Sequence, residues 1–381
     1  MIRTCLLLYL PLVFAFPTAV SWKVAPPNSS VNVNKIESIV VVGGTHGNEY
    51  TGVWCIKELD AKPELVGKQY PSLKISTLVG NPEAHLANRR FIDTDLNREF
   101  THAKLMVGEE GLPLTVESLR AREIEKLLGP KFVESPDTTD LVVDLHTTTT
   151  NMGITLIIPE GDALMAQAAA YVLHKCLQTK ERISILMHAI PDRHHRPNVG
   201  STARHGFTIE VGPVPQGVLR HDAVEKTRKA MHFLFDFLEQ RNAGKDPLKD
   251  ISEVFPSGRV PCYRSAKAQR PGEISGKIPW PCTEDNPNFP LFMVHKSLQD
   301  RDFHLIKTGD PLFVTIEGDT IYYEGSHGDQ VYLIFINEGG YYYESSGTGI
   351  GVAVKTEYDL LQGYFADETV CDNSDPECNF E

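Results

Sequence analysis

A mixed α/β fold, a sheet flanked by helices with a smaller all-β domain at the C-terminal end, is predicted by three features of the sequence. Ile39 to Val42 is a run of four β-branched residues stopped by Gly43-Gly44, as expected of a strand buried on both faces of a largely parallel sheet. Strand-like runs then alternate with helical patterns up to about Asn242. From Gly244 the chain turns to prolines, glycines and short β-rich runs separated by turn signals.

In chain order, the remaining strands of the first region are expected at Ile75 to Val79, Leu141 to His146, Thr155 to Ile158, Ile183 to Met187 and Phe207 to Val211. Helical periodicity covers Thr51 to Asp60, Glu117 to Leu128, Ala163 to Leu177 and a long amphipathic stretch from about His221 to Gln240. The β-rich runs follow at Leu291 to Val294, Leu312 to Ile316, Val331 to Ile336 and Gly351 to Val354. Turns such as Thr308-Gly309-Asp310-Pro311 separate them. The expected organisation is a catalytic domain over residues 35–244, a β domain over 245–365 and an acidic, polar tail over 366–381.

The 381 residues carry 50 acidic and 37 basic side chains, a net charge of -13, which excludes an extended nucleic-acid footprint. A few arginines focused in a cleft could still receive a small anion. Residues 1–21 join Arg3 to an apolar run from Cys5 to Phe16 and then small residues, the pattern of a cleavable signal peptide. Secretion is therefore expected, with a hydrophobic leader on a cytosolic enzyme as the alternative. Asn28-Ser29-Ser30, a glycosylation acceptor, agrees with secretion. No other stretch is long and apolar enough to span a membrane. Cleavage would leave six cysteines: Cys262 with Cys282 and Cys371 with Cys378 are candidate disulfides, whereas Cys55 and Cys176 fall in helical patterns as small buried hydrophobes.

His46 and Glu49 follow the first strand on the turn at its carboxyl end, where open α/β sheets place their ligands. Hydrolytic zinc often takes two His and one Glu. The second histidine is supplied by Leu141-Val142-Val143-Asp144-Leu145-His146, where strand alternation puts Asp144 on the face of His146, able to orient it from behind. Any one of the 14 histidines would ordinarily be a hydrogen-bonded surface or core residue. Two such groups, each closing a buried strand beside Gly or Thr, point instead to a metal.

After the second strand, Arg90 and Arg98 are candidates to bind a carboxylate or steady an oxyanion, and Asn97 adds an amide donor; a solvated loop is the competing reading. Glu210 lies inside Ile-Glu-Val in the last interior strand, so it must meet a partner or carry a raised pKa and act as a base. The loop Asp192-Arg193-His194-His195-Arg196-Pro197 reads as a cationic rim facing substrate.

The motifs GGTHGNE (Gly43 to Glu49), DxDLNR (Asp93 to Arg98), DLHxTTxNMG (Asp144 to Gly153), IEVGPxPQGVLR (Ile209 to Arg220) and NExxY (Asn337 to Tyr341) resemble those of the aspartoacylase and N-acyl-aromatic-amino-acid amidohydrolase family, a branch of the zinc carboxypeptidase-like fold. The resemblance implies one zinc per subunit on His46, Glu49 and His146, Glu210 as general base and acid, and Arg90 polarising the scissile carbonyl. It further implies that Asn97 and Arg98 hold the α-carboxylate, that Tyr341 reaches in from the β domain, and that the protein is a homodimer acting on a small N-acyl amino acid. Thr147 and Gly339-Gly340 depart from the family pattern. Gly200 stands where aspartoacylases have the arginine for a side-chain carboxylate, which leaves Arg196 and Arg204 as candidates to replace it. Rival classes are a metallocarboxypeptidase acting on small peptides and a zinc-dependent binding protein without turnover.

Overall fold

The computed structural model describes residues 35–106, 114–190, 192–249, 251–270, 272–360 and 363–365. The leader over residues 1–21, the acceptor at Asn28, the tail over residues 366–381 and the cysteines at 371 and 378 lie outside them. Among the described residues no helix is long and apolar enough to cross a membrane.

Seven strands carry the first half of the sheet: β1 (Ser38–Gly43), β2 (Lys74–Val79), β3 (Leu141–Thr147), β4 (Gly153–Pro159), β5 (Ile183–His188), β6 (His205–Gly212) and β7 (Arg259–Ser265). Then come β8 (Lys277–Ile278), β9 (Phe292–Val294), β10 (His304–Lys307), β11 (Pro311–Thr315), β12 (Thr320–Tyr322), β13 (Gln330–Ile334), β14 (Ile350–Asp359) and β15 (Tyr364–Phe365). Twelve of them form one sheet in the order β10-β13-β14-β7-β5-β4-β6-β3-β1-β2, with β8 and β15 added on β14. The pairs β1–β2, β1–β3, β3–β6, β4–β5 and β5–β7 are parallel, whereas β4–β6 and β7–β14 are antiparallel, so the sheet is mixed. The β-rich region extends the same sheet through β7 and β14, and β9, β11 and β12 form a separate three-stranded sheet.

Strand β1 is an interior strand, held between β3 and the terminal strand β2, and both of its faces are apolar. Ile39 and Val41 pack into the cluster beneath helices Tyr50–Ala61, Ala163–Gln178 and His221–Asn242, while Val40 and Val42 pack on the opposite face against helix Val116–Leu128. The last helix begins with a capping box between Thr115 and Ser118. Beyond residue 265 a third cluster, with Trp280, Phe313 and Val352, fills the β-rich region.

Cys55 and Cys176 are buried as expected, and burial pushes both thiols up to about 12. The expected bridge between Cys262 and Cys282 does not form. Cys262 is buried in β7 within the large cluster, whereas Cys282 is a free thiol against the β-rich one, so the two are committed to different cores.

The turn that ends β1 depends on missing side chains. Gly44 has φ +69°, and a Cβ on Gly43 would lie 2.4 Å from the backbone of Gly52 in the following helix. Replacing Gly43 with Ala therefore forces strand and helix apart and should cost about 3 kcal/mol, read from urea unfolding. Gly67→Ala, in a helix with nothing within 4 Å of the added atom, should leave stability unchanged or raise it by about 0.5 kcal/mol.

Candidate active site and metal centre

The carboxyl ends of β1, β3 and β6 converge on one cavity of about 250 Å³, lined by His46, Glu49, His146, Glu210, Arg90, Asn97, Arg98, Lys277, His188 and Tyr341 among others. His46 stands on the tight turn after β1, and Glu49 is the residue on which helix Tyr50–Ala61 starts. His146 and Glu210 are direct neighbours across the parallel pair β3–β6, so both side chains project from the same face of the sheet.

The ligand atoms of His46, Glu49 and His146 lie within 4.8 Å of one another, and all three residues are buried. Glu49 Oε1 is 2.6 Å from His46 Nδ1 and Oε2 is 3.0 Å from His146 Nδ1, while the two Nδ1 atoms are 3.2 Å apart. Behind each ring stands a carboxylate: Asp95 Oδ1 is 3.1 Å from His46 Nε2, and Asp144 Oδ2 is 2.6 Å from His146 Nε2. A proton on each Nε2 is thereby held by a carboxylate, which turns both Nδ1 lone pairs toward Glu49. Two imidazole lone pairs and a carboxylate facing one point repel unless positive charge sits between them. The directions of the pKa shifts agree. Burial disfavours the imidazolium of His146, but Asp144 and Glu49 raise its pKa well above the ordinary value. Burial likewise works against ionised Glu49, yet the two imidazoles hold its carboxyl below the usual carboxylate range. The set fits a divalent metal ion with two nitrogen ligands and one oxygen ligand.

Glu210 is buried, and its Oε1 has no hydrogen-bond partner. Burial pushes its carboxyl well above the usual range, partly offset by His146 and reinforced by Glu49 and Glu338. A carboxyl in that state can both take and return a proton. Arg90 is held on three sides: Nη1 donates to Glu49 at 3.4 Å, Nη2 to Asp95 at 3.1 Å and Nε to Ser346 Oγ at 3.3 Å. One hydrogen on each terminal nitrogen is left over. A Cβ on Gly340 would come within 2.4 Å of Nη1, so the guanidinium occupies space that the glycine leaves open.

The loop that carries these groups is pinned by Glu117, whose carboxylate accepts from the backbone N–H groups of Ile92, Asp93 and Thr94. Asn97 reaches the cavity, but its side chain is largely committed: Nδ2 donates to Asp144 Oδ2 at 3.4 Å, and Oδ1 accepts from Val199 N–H. Arg98 donates through Nη2 to the Ser346 carbonyl at 3.2 Å. Tyr341 lines the cavity with its phenol pushed up to about 12 by burial.

Two predicted residues do not reach the cavity. Arg204 precedes β6 and pairs with Asp140 at the opposite end of the strands; at about 3.3 Å per residue, it is roughly 20 Å from Glu210 along the strand. Arg196 is buried behind the wall, its Nε without a partner, and reaches the cavity only through its field on His188, whose pKa is lowered to about 4 by burial, Arg196 and Arg98. The expected cationic rim is likewise absent from the lining: His194 and His195 turn to Asp192, and Pro197 and Asn198 at the end of that loop line the cavity instead.

The sequence reading missed Asp95, Glu117, Ser346, Lys277 and Glu338. Glu338 is buried and accepts from Thr149 N–H at 2.8 Å, Thr149 Oγ1 at 3.0 Å, Gly340 N–H at 2.8 Å and Thr148 Oγ1, tying the turn that bears Tyr341 to the loop after β3. Asp95 stands inside the DxDLNR motif and Glu338 inside NExxY.

A family model described as the succinylglutamate desuccinylase/aspartoacylase catalytic domain matches residues 35–238, and one for the AstE/AspA barrel-sandwich hybrid domain matches residues 274–348. The chain belongs to the succinylglutamate desuccinylase/aspartoacylase family. Among similar proteins, an N-acyl-aromatic-L-amino acid amidohydrolase (carboxylate-forming) A of Danio rerio is 35% identical over 82% of this chain and 88% of its own length. An aspartoacylase of Xenopus tropicalis is 35% identical over 81% of this chain and 90% of its own. Murine aminoacylase 3 shares the fold with a TM-score of 0.70 and 29% identity, covering 85% of this chain and 97% of that one.

If Asp95 orients His46, Asp95→Asn should weaken metal binding about ten- to a hundredfold in competition with a chromophoric chelator. Asp93→Asn, whose carboxylate accepts from Val116 N–H and from no other group among the described residues, should bind metal like the parent.

Proposed function

We propose that this protein is a zinc-dependent amidohydrolase that converts N-acyl-L-amino acids into a carboxylate and a free amino acid. The observation that carries the reading is the pair of carboxylate-backed imidazoles converging with Glu49 beside a buried, unpartnered Glu210. Family members named for aspartoacylase and N-acyl-aromatic amino acid amidohydrolase activity support it. A cavity of about 250 Å³ suits a small substrate better than a peptide chain.

Zinc on His46, Glu49 and His146 would supply Lewis acidity and bring water close to its deprotonation range at neutral pH. Glu210 accepts a proton from the attacking water as its oxygen bonds to the acyl carbon. Arg90, held in place by its three other donors, offers its two remaining N–H groups to the carbonyl oxygen as charge grows there. Glu210 then returns the proton to the amide nitrogen as the carbon–nitrogen bond breaks. Arg98 offers a guanidinium to the carboxylate of the substrate.

Glu210→Gln should retain metal and lose at least about a hundredfold in kcat on a panel of N-acetylated amino acids that includes Asp and aromatics. Retained activity would reject the role of Glu210. Chelation should abolish turnover in the parent protein and added zinc restore it. Since Glu210 serves as base only when ionised, activity should rise with pH through its raised pKa, and that acid limb should vanish in Glu210→Gln.

The leader supports entry into the secretory pathway, and the family resemblance supports a homodimer. A chain recovered from culture medium without residues 1–21, sedimenting at twice the monomer mass, is the outcome expected on both counts.

A further inference from the structure

We infer that Lys277 is a substrate-binding residue, closing together with Arg98 on the carboxylate of the N-acyl amino acid. The deacylase reading supplies the identity of the anion; the arrangement of the two cations stands independently of it.

Lys277 opens the short strand β8, pairs with Gly351 of β14 and lines the same cavity as Glu210 and His146. Its Nζ lies 3.6 Å from the centre of the Tyr341 ring and donates to the Gly347 carbonyl. Arg98 Nη2 donates to the preceding carbonyl, that of Ser346. Two cations from distant parts of the chain thus hang from consecutive carbonyls of one loop. Gly347 has φ +81°, and a Cβ there would sit 3.3 Å from Nζ, so the close approach uses a glycine.

Neither cation has a carboxylate partner among the described residues, in contrast to Arg90, which is paired with both Glu49 and Asp95. The other carboxylate near the turn, Glu338, is occupied by Thr148, Thr149 and Gly340. A half-buried ammonium with only a carbonyl and an aromatic face for company is poorly compensated. Burial, Arg98 and Arg90 push its pKa down to about 7, against a smaller opposing pull from Asp95. A carboxylate arriving between Lys277 and Arg98 would compensate both charges, and the Tyr341 ring under Nζ fixes where the ammonium waits. The other titratable groups along this cavity are Tyr341, Glu338, Glu210, His188 and, deeper in, His46, Glu49 and His146.

The test uses full-length, zinc-loaded protein and two compounds that differ only in the carboxylate, N-acetyl-L-phenylalanine and N-acetyl-L-phenylalaninamide. Lys277→Met should raise KM for the acid about ten- to a hundredfold with a much smaller change in kcat, should leave KM for the amide within about twofold, and Lys277→Arg should recover most of the loss. In the parent protein KM for the acid should climb as pH rises above about 7, where the ammonium loses its proton, and the climb should be absent in Lys277→Arg. Equal losses on acid and amide, or no loss on the acid, would overturn the inference. Calorimetric binding of the acid to Glu210→Gln, with and without Lys277→Met, separates the two readings. Binding that depends on Lys277 without turnover by the parent protein would sink the deacylase reading alone, whereas binding indifferent to Lys277 would sink the clamp. No binding of N-acetyl-L-phenylalanine or of N-acetyl-L-aspartate would overturn both.

Discussion

The site is governed by one electrostatic constraint: two imidazole lone pairs and a carboxylate are made to face the same point, and carboxylates behind the rings prevent either imidazole from turning away. In a dry setting such a cluster is stable only when positive charge occupies its centre. The rest of the architecture serves that constraint. Parallel strands β1 and β3 end side by side, the glycines after β1 bring the helix start close, and β6 sets Glu210 next to His146.

Much of the central fold could be read from the chain because its signals are local. A β-branched run, a Gly-Gly stop and alternating apolar periods each reflect burial of a few neighbouring residues, and strands β1 to β6 fall where those patterns lie. His46, Glu49, His146 and Glu210 were legible for a related reason: polar groups closing buried strands stand out against their surroundings. Asp144 followed from strand alternation.

What escaped the sequence depends on contacts between distant segments. Nothing near Asp95 announces that it backs His46, and Glu338 and Ser346 acquire their partners only when the β-rich region folds onto the loops after β3 and β2. Arg196 and Arg204 erred in the other direction. Arg204 lies at the wrong end of the site-forming strand, because a strand carries successive residues steadily away from the cavity, and Arg196 is buried outside the lining although its neighbours Pro197 and Asn198 reach it. Cys262 and Cys282 illustrate the same limit, since their separation in the chain says nothing about the different cores that claim them. The β-rich region is also joined to the main sheet through β7 and β14, a connection that depends on pairing rather than composition.

Gly340 has a consequence of its own. The absence of one carbon at that backbone position leaves the space that the Arg90 guanidinium fills beside Glu49. The reach of a group on the chemical side is thus calibrated from a distant turn that carries no ionisable function at that residue. Added bulk there would displace the guanidinium without touching His46 or His146.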